Sequence, residues 1–219
     1  MSKSAPPPGT SDIFPDEITA WLELENTARR IFPLYGYGEI RTPVFEFTEV
    51  FQRGLGDETE VVQKEMYTFE DRGGRSLTLR PEGTAGVMRA LSGTEAMNGV
   101  EQRVFYMGPM FRGERPSAGR RRQFHQIGVE NAGKAAPELD AESIAMLSRF
   151  LNEAGAGGFE LRHFSCSPCP QKNIRSWTGE TEKPVELPAA ALSASGSRVG
   201  VYTPSQQTLP CPNKSMILI

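Results

Sequence analysis

At 219 residues the chain is long enough to bury a substantial core, and it reads as one domain with at most a small appendage. A net charge of −3 excludes a uniformly basic nucleic-acid-binding surface, so any nucleic-acid contact must be local. No apolar run reaches membrane-spanning length and no signal-peptide pattern opens the chain, which predicts a cytoplasmic protein without membrane association.

The opening MSKSAPPPGT is polar and proline-rich and reads as a mobile lead-in. Asp16–Phe32 then has helical spacing: Ile18, Trp21, Leu22, Ala28, Ile31 and Phe32 fall on one stripe, and Pro15 supplies a start signal. Tyr35-Gly36-Tyr37-Gly38 is a turn, and Glu39–Thr42 reads as a strand stopped by Pro43. Met66–Glu70 and Ser76–Arg80 read as strands around a turn at Asp71–Arg75. Thr84–Leu91 is a short helix. Pro137–Ala154 is a longer one, with Leu139, Ile144, Leu147 and Leu151 on its stripe, acids Glu138, Asp140 and Glu142 at its start and Gly155 after its end. Hairpins and helices in this order predict an α+β fold: an antiparallel sheet backed by helices.

Between these helices lies the most informative stretch, Phe111–Glu130, FRGERPSAGRRRQFHQIGVE. Strand formers precede it in Val104–Gly108, and Arg122–Glu130 alternates after it. Period two puts Phe124, Gln126, Gly128 and Glu130 on one face and His125, Ile127 and Val129 on the other. On the leading strand Tyr106, Gly108, Met110 and Arg112 share a face. The face of Gln126 and Glu130 is too polar for a core and suits a ligand floor, whereas the His125 face packs under helices. Arg112, Arg115, Arg120, Arg121 and Arg122 crowd the connecting loop, in which Pro116 restricts and Gly119 frees the backbone. Arginine offers a planar fork of donors matched to carboxylate and phosphate, so a cationic loop on a rigid hairpin can hold a polyphosphate. Taken alone, five arginines describe a solvated loop; the flanking strands shift the balance toward a site. The chain has no Rossmann or Walker-type glycine loop, so a bound polyphosphate would lie on the sheet.

This hairpin resembles motif 2 of class II aminoacyl-tRNA synthetases in the form found in histidyl-tRNA synthetases. The run GDETEVVQKEMYTFEDRGGRSLTLRPEGTAG (Gly56–Gly86) is similar to the same family and more specifically so, and LRPEGTA followed by RQFHQIGVE is more selective than any single glycine-rich motif. Helix, turn, strand and proline over residues 16–43 resemble motif 1, the dimer-forming element of that class. The resemblance spans about Gly9 to Leu161 and implies a class II synthetase-like catalytic domain, incomplete, over residues 1–162.

The resemblance also implies roles. Glu82, Gly83 and Thr84 would bind the histidine substrate, with Glu82 meeting its amino group, and Gln126 and Glu130 would complete that pocket. Arg112 would be the catalytic arginine, bridging the substrate carboxylate and the α-phosphate of ATP. Glu114 and Arg120 would engage ATP from the loop and Phe124 would stack on adenine. Charge logic agrees: a zwitterionic amino acid needs acids for its ammonium and an arginine for its carboxylate. An acid such as Glu82 at a helix start is also what the helix dipole favours, and both roles can hold together. The implied reaction joins histidine and ATP, with Mg²⁺, into histidyl-adenylate and then transfers histidine to tRNA(His), in a homodimer and with no resident metal. Two positions depart from the family: Gly113 and Arg121 stand where an aromatic is usual.

After about Arg162 the chain changes. Residues 163–219 contain no aspartate, hold all three cysteines (Cys166, Cys169, Cys211) and carry no helical stripe. A metal site is not expected from Cys166-x-x-Cys169, because the third cysteine is distant and the only histidines are His125 and His163. The loss of resemblance within Phe159–Phe164 points to a shifted reading frame or a truncated gene product, with a divergent, disordered tail as the alternative. Motif 3 is not recognisable, so the expectation is little or no aminoacylation by this polypeptide, and an open sheet edge where a strand is missing. Two other readings remain: a histidine-sensing regulatory subunit of ATP phosphoribosyltransferase, which has no need of Arg112, Glu114, Arg120 and Phe124, and a non-catalytic dimerising fragment.

Overall fold

The computed structural model describes residues 5–55, 65–113, 115, 120–134 and 136–156, together with the backbone of Glu160–His163, Arg175–Thr178, Val201–Tyr202 and Lys214–Leu218. Helix α1 (Pro15–Ile31) starts on a proline whose missing N–H is not needed there. Asp16 and Glu17 in its first turn and Arg29 and Arg30 in its last suit the helix dipole. Only the C-terminal half of its stripe is fully used: Ala28 and Ile31 are buried, whereas Ile18 and Leu22 stay exposed. A 3₁₀ turn, Phe32–Tyr35, follows and is closed by Gly36 at φ 80°, a left-handed conformation that favours glycine.

Strand β1 is shorter than the sequence suggests, Gly38–Glu39, and it pairs parallel with β5 (Gln102–Phe111). Ile40 still donates to the Phe105 carbonyl. Beyond it the Thr42 carbonyl is taken by the Arg80 guanidinium, and Pro43 has no N–H to continue a ladder. A second sheet joins β2 (Phe45–Phe47), β4 (Ser76–Leu79) and β3 (Thr68–Glu70), all antiparallel. Its β3–β4 turn is held by Asp71, whose Oδ1 accepts from the amides of Gly73 and Arg75. Helix α2 (Thr48–Leu55), which has no counterpart in the sequence reading, follows β2, and α3 (Thr84–Leu91) lies where it is expected.

The centre of the molecule is the antiparallel hairpin of β5 and β6 (Gln123–Ala132), in the register Tyr106↔Gly128 and Gly108↔Gln126. One face carries Phe105 and Val129 into a core with Ala28, Ile31 and Phe32 and with Met146, Leu147, Phe150 and Leu151 of α4 (Pro137–Glu153). Phe32 meets the rings of both Phe105 and Phe150 at 5.2 and 5.3 Å. The opposite face is not purely polar, as its sequence suggests: Tyr106, Met110 and Ala132 form a second core with Val87 and Leu91 of α3. The hairpin is therefore covered on both faces, and the polar residues of its second face are enclosed with that core.

Two expectations about the ends are corrected. The lead-in is held: Gly9 accepts from the backbone amides of Arg122 and Gln123, and Thr10 closes a turn onto Pro7. The edge of β6 is not open: β10 (Lys214–Leu218) pairs antiparallel along it, with β9 (Val201–Tyr202) beyond. β7 (Glu160–His163) and β8 (Arg175–Thr178) form a separate two-stranded ribbon.

Candidate functional site

The second face of the hairpin meets the start of α3, and there the polar residues converge. Gly83 at the helix N-cap has no side chain to satisfy the first free amides. Glu82 does so instead: its Oε2 accepts from the Thr84 amide at 2.9 Å and its Oε1 from the Ala85 amide at 2.7 Å. Burial pushes the Glu82 carboxyl above its ordinary value, and the hydrogen bonds from Ala85 and Thr84 and the charge of Arg112 act against that push. The Thr84 hydroxyl then donates to Glu130 Oε1 at 2.7 Å, tying α3 to β6.

Behind this link, Gln126 is 1% exposed and neither its Oε1 nor its Nε2 meets a hydrogen-bond partner among the described residues. A buried amide left so is costly, on the order of 1–3 kcal/mol for each unsatisfied group, and its place is filled by a ligand or by water. Glu82, Glu130 and Gln126 together make a desolvated, acid-rich wall with an amide at its base, which suits a cationic group with further donors. Tyr106, 4% exposed, joins them from β5. Burial first, and then the nearby Glu130 and Glu82, push its hydroxyl well above the usual 10.0, so it stays protonated.

At the end of β5 the Arg112 Nε donates to the Pro81 carbonyl at 2.9 Å, and its guanidinium lies 5.0 Å above the centre of the Phe124 ring. That backbone bond orients the guanidinium beside the Glu82 loop. The structure thus brings Glu82, Gly83, Thr84, Arg112, Phe124, Gln126 and Glu130 to one face of one hairpin.

The arginine loop divides. Arg120 is exposed at the entry to β6. Arg121 spends its guanidinium on the Ser11 hydroxyl at 2.9 Å, and Arg122 holds Gly9 through its backbone. Of the five arginines of the loop, Arg121 thus directs its guanidinium to the N-terminal segment rather than into the site. Glu114, Pro116 and Gly119 lie outside the described residues, as do Cys166, Cys169 and Cys211. Among the described residues no group of three His, Cys, Asp or Glu side chains could hold a metal ion, and no helix is long and apolar enough to cross a membrane.

Two residues of this region were not singled out in the sequence. Tyr106 could have been, since it shares a strand face with Gly108 and Arg112. Arg80 carried no signal: it is buried, with Nε on the Pro109 carbonyl at 2.9 Å and Nη1 on the Thr42 carbonyl at 3.2 Å, and it fastens the loop before Glu82 to β5.

Comparison with known proteins agrees with this geometry. The family model described as histidyl-tRNA synthetase matches residues 9–165. The histidine–tRNA ligase of Moorella thermoacetica is 56% identical over 165 residues, covering 75% of this chain and 39% of that protein. The crystal structure of apo S. aureus histidyl-tRNA synthetase superposes with a TM-score of 0.57 at 39% identity, over 68% of this chain and 34% of that one. A structure from Bacillus halodurans described as an ATP phosphoribosyltransferase regulatory subunit/histidyl-tRNA synthetase gives a TM-score of 0.61 at 25% identity, over 70% and 39% of the two chains. The chain spans about two fifths of the length of the curated relatives it matches. On the match over residues 9–165 and the shared class II synthetase-like fold, it belongs to the histidyl-tRNA synthetase family.

Proposed function

We propose that this chain carries the amino-acid- and ATP-binding face of a histidine–tRNA ligase, which activates histidine as histidyl-adenylate and transfers it to tRNA(His). The observation that carries the reading is the unpartnered amide of Gln126, buried beside two carboxylates at the N-terminus of α3. Glu82, with Thr84, receives the α-ammonium, and Gln126 and Glu130 complete the amino-acid pocket. Arg112 faces the substrate carboxylate, and its charge offsets the negative charge that develops as that carboxylate attacks the α-phosphorus and pyrophosphate leaves. Phe124, already beneath the Arg112 guanidinium, offers an aromatic surface for the adenine. Arg120 and Glu114 engage the nucleotide from the loop. Mg²⁺ arrives with the triphosphate and neutralises part of its charge. Much of the rate would come from proximity and charge stabilisation, since no side chain need form a covalent intermediate.

A homodimer through the motif 1 region (residues 16–43) and a cytoplasmic location complete the proposal. The second reading, a histidine-sensing regulatory subunit, is favoured by one observation, the description of the Bacillus halodurans structure. The Arg112–Phe124 pair speaks against it, because a sensor of histidine alone has no use for a nucleotide platform. Calorimetry with histidine and ATP titrated separately decides: binding of both supports the ligase reading, binding of histidine alone supports the sensor, and binding of neither rejects both.

A further inference from the structure

The ring of Tyr106 stands in a slot that two glycines leave open. A Cβ on Gly83 would lie 2.1 Å from its Cε2, and a Cβ on Gly128 would lie 2.3 Å from its Cζ and 2.4 Å from its hydroxyl oxygen. Approaches that short do not occur, so neither position can bear a side chain while the ring is in place. Gly83 opens α3 and Gly128 lies opposite Tyr106 on β6. The ring is therefore a spacer between the strand that carries Gln126 and Glu130 and the helix start that carries Glu82 and Thr84.

Spacing alone would need only a phenylalanine. The hydroxyl at the tip is surrounded by Thr84, Glu130 and Glu82, and it is buried with them. A neutral hydroxyl there adds a donor without adding charge, in a wall that already holds two acids. It makes no hydrogen bond among the described residues, so its donor is left for a group that enters the pocket.

We propose that Tyr106 serves the amino-acid pocket in two ways: its ring sets the gap between α3 and β6 through Gly83 and Gly128, and its unpartnered hydroxyl offers a hydrogen bond to the substrate beside Glu82 and Glu130. The inference rests on the reading of this pocket as the histidine site. It goes beyond that reading by adding to the pocket a strand residue that the sequence did not single out.

The test uses the full chain with L-histidine, comparing wild type, Tyr106→Phe and Gly128→Ala by equilibrium titration and by thermal unfolding. Tyr106→Phe keeps the spacer, so the unfolding midpoint should stay at or above that of wild type. Histidine affinity should fall about tenfold, the loss of one hydrogen bond to the bound amino acid. Gly128→Ala, which displaces the ring, should lower both the midpoint and the affinity. Equal affinity in Tyr106→Phe would overturn the assignment while leaving the pocket intact. A wild-type chain that binds no histidine would instead overturn the reading of the pocket, and this assignment with it.

Discussion

The hydroxyl of Thr84 donates to the carboxylate of Glu130 across 46 residues of chain, and this one bond joins the start of α3 to the middle of β6. Glu130 is completely buried, so the donor matters. Thr84→Val keeps the shape and removes the donor. It should cost about 1.5–3 kcal/mol, the range for a hydrogen bond to a charged group, read as a lower urea midpoint with an unchanged slope. Thr84→Ser, which keeps the hydroxyl, should recover much of the loss.

Glu82 is both a cap and a proposed ligand, and two substitutions separate these roles. Glu82→Ala strips both acceptors from the Thr84 and Ala85 amides and should cost about 0.5–2 kcal/mol. Glu82→Gln keeps one acceptor, so it should cost less stability while still abolishing recognition of an ammonium. The pH dependence has a definite sign. With its folded value raised above the ordinary 4.5, Glu82 binds a proton more tightly in the folded chain than in the unfolded one. The stability this adds is fully present below 4.5 and is lost as pH rises through the folded value. The difference in unfolding free energy between wild type and Glu82→Gln, followed by urea titration across that interval, should change in that direction.

His125 packs against Trp21 with ring centroids 4.6 Å apart, joining β6 to α1. Burial depresses its pKa below 6.5; Arg80 adds to this and Glu25 opposes it. A lowered histidine value means that the unfolded chain takes up the proton first. The stability it contributes is therefore present above 6.5 and is lost as pH falls toward the folded value. Urea unfolding at a series of pH values should show this decline in wild type, and His125→Gln should flatten it.

Arg80 fastens two backbone segments to each other, the Thr42 end of β1's extension and Pro109 in β5. Lysine keeps the charge but cannot reproduce the fork. Arg80→Lys should lower stability by about 1–3 kcal/mol through the carbonyl left short of its donor. Because Arg80 sets the course of the loop before Glu82, histidine affinity should fall as well, and calorimetry on the same samples checks it.

The hairpin, α1, α3 and α4 were legible in the sequence because each repeats a period: two for Phe124, Gln126, Gly128 and Glu130, and about 3.6 for Leu139, Leu147 and Leu151. Helix α2 was not, since Thr48–Leu55 is only eight residues long and follows strand β2 without a break, and β1 was overextended because its end depends on the distant Arg80. The convergence of Glu82, Gln126 and Glu130 followed from the family motif together with strand alternation. That half of the same face would be core did not follow, because packing of Tyr106 and Met110 against Val87 and Leu91 depends on where α3 folds back. The placement of β10 beside β6 is equally non-local: nothing in Lys214–Leu218 names its partner strand.

The account depends on the buried acid-and-amide wall being a receptor for a single amino acid. Amide and side-chain-amide NMR spectra of the chain, recorded while L-histidine is added, test this most directly. The account predicts shifts at the Thr84 and Ala85 amides and at the Gln126 side-chain NH₂, absent with leucine at the same concentration and absent from Glu82→Gln. Spectra in which histidine moves none of these resonances, or in which leucine moves them equally, would contradict it.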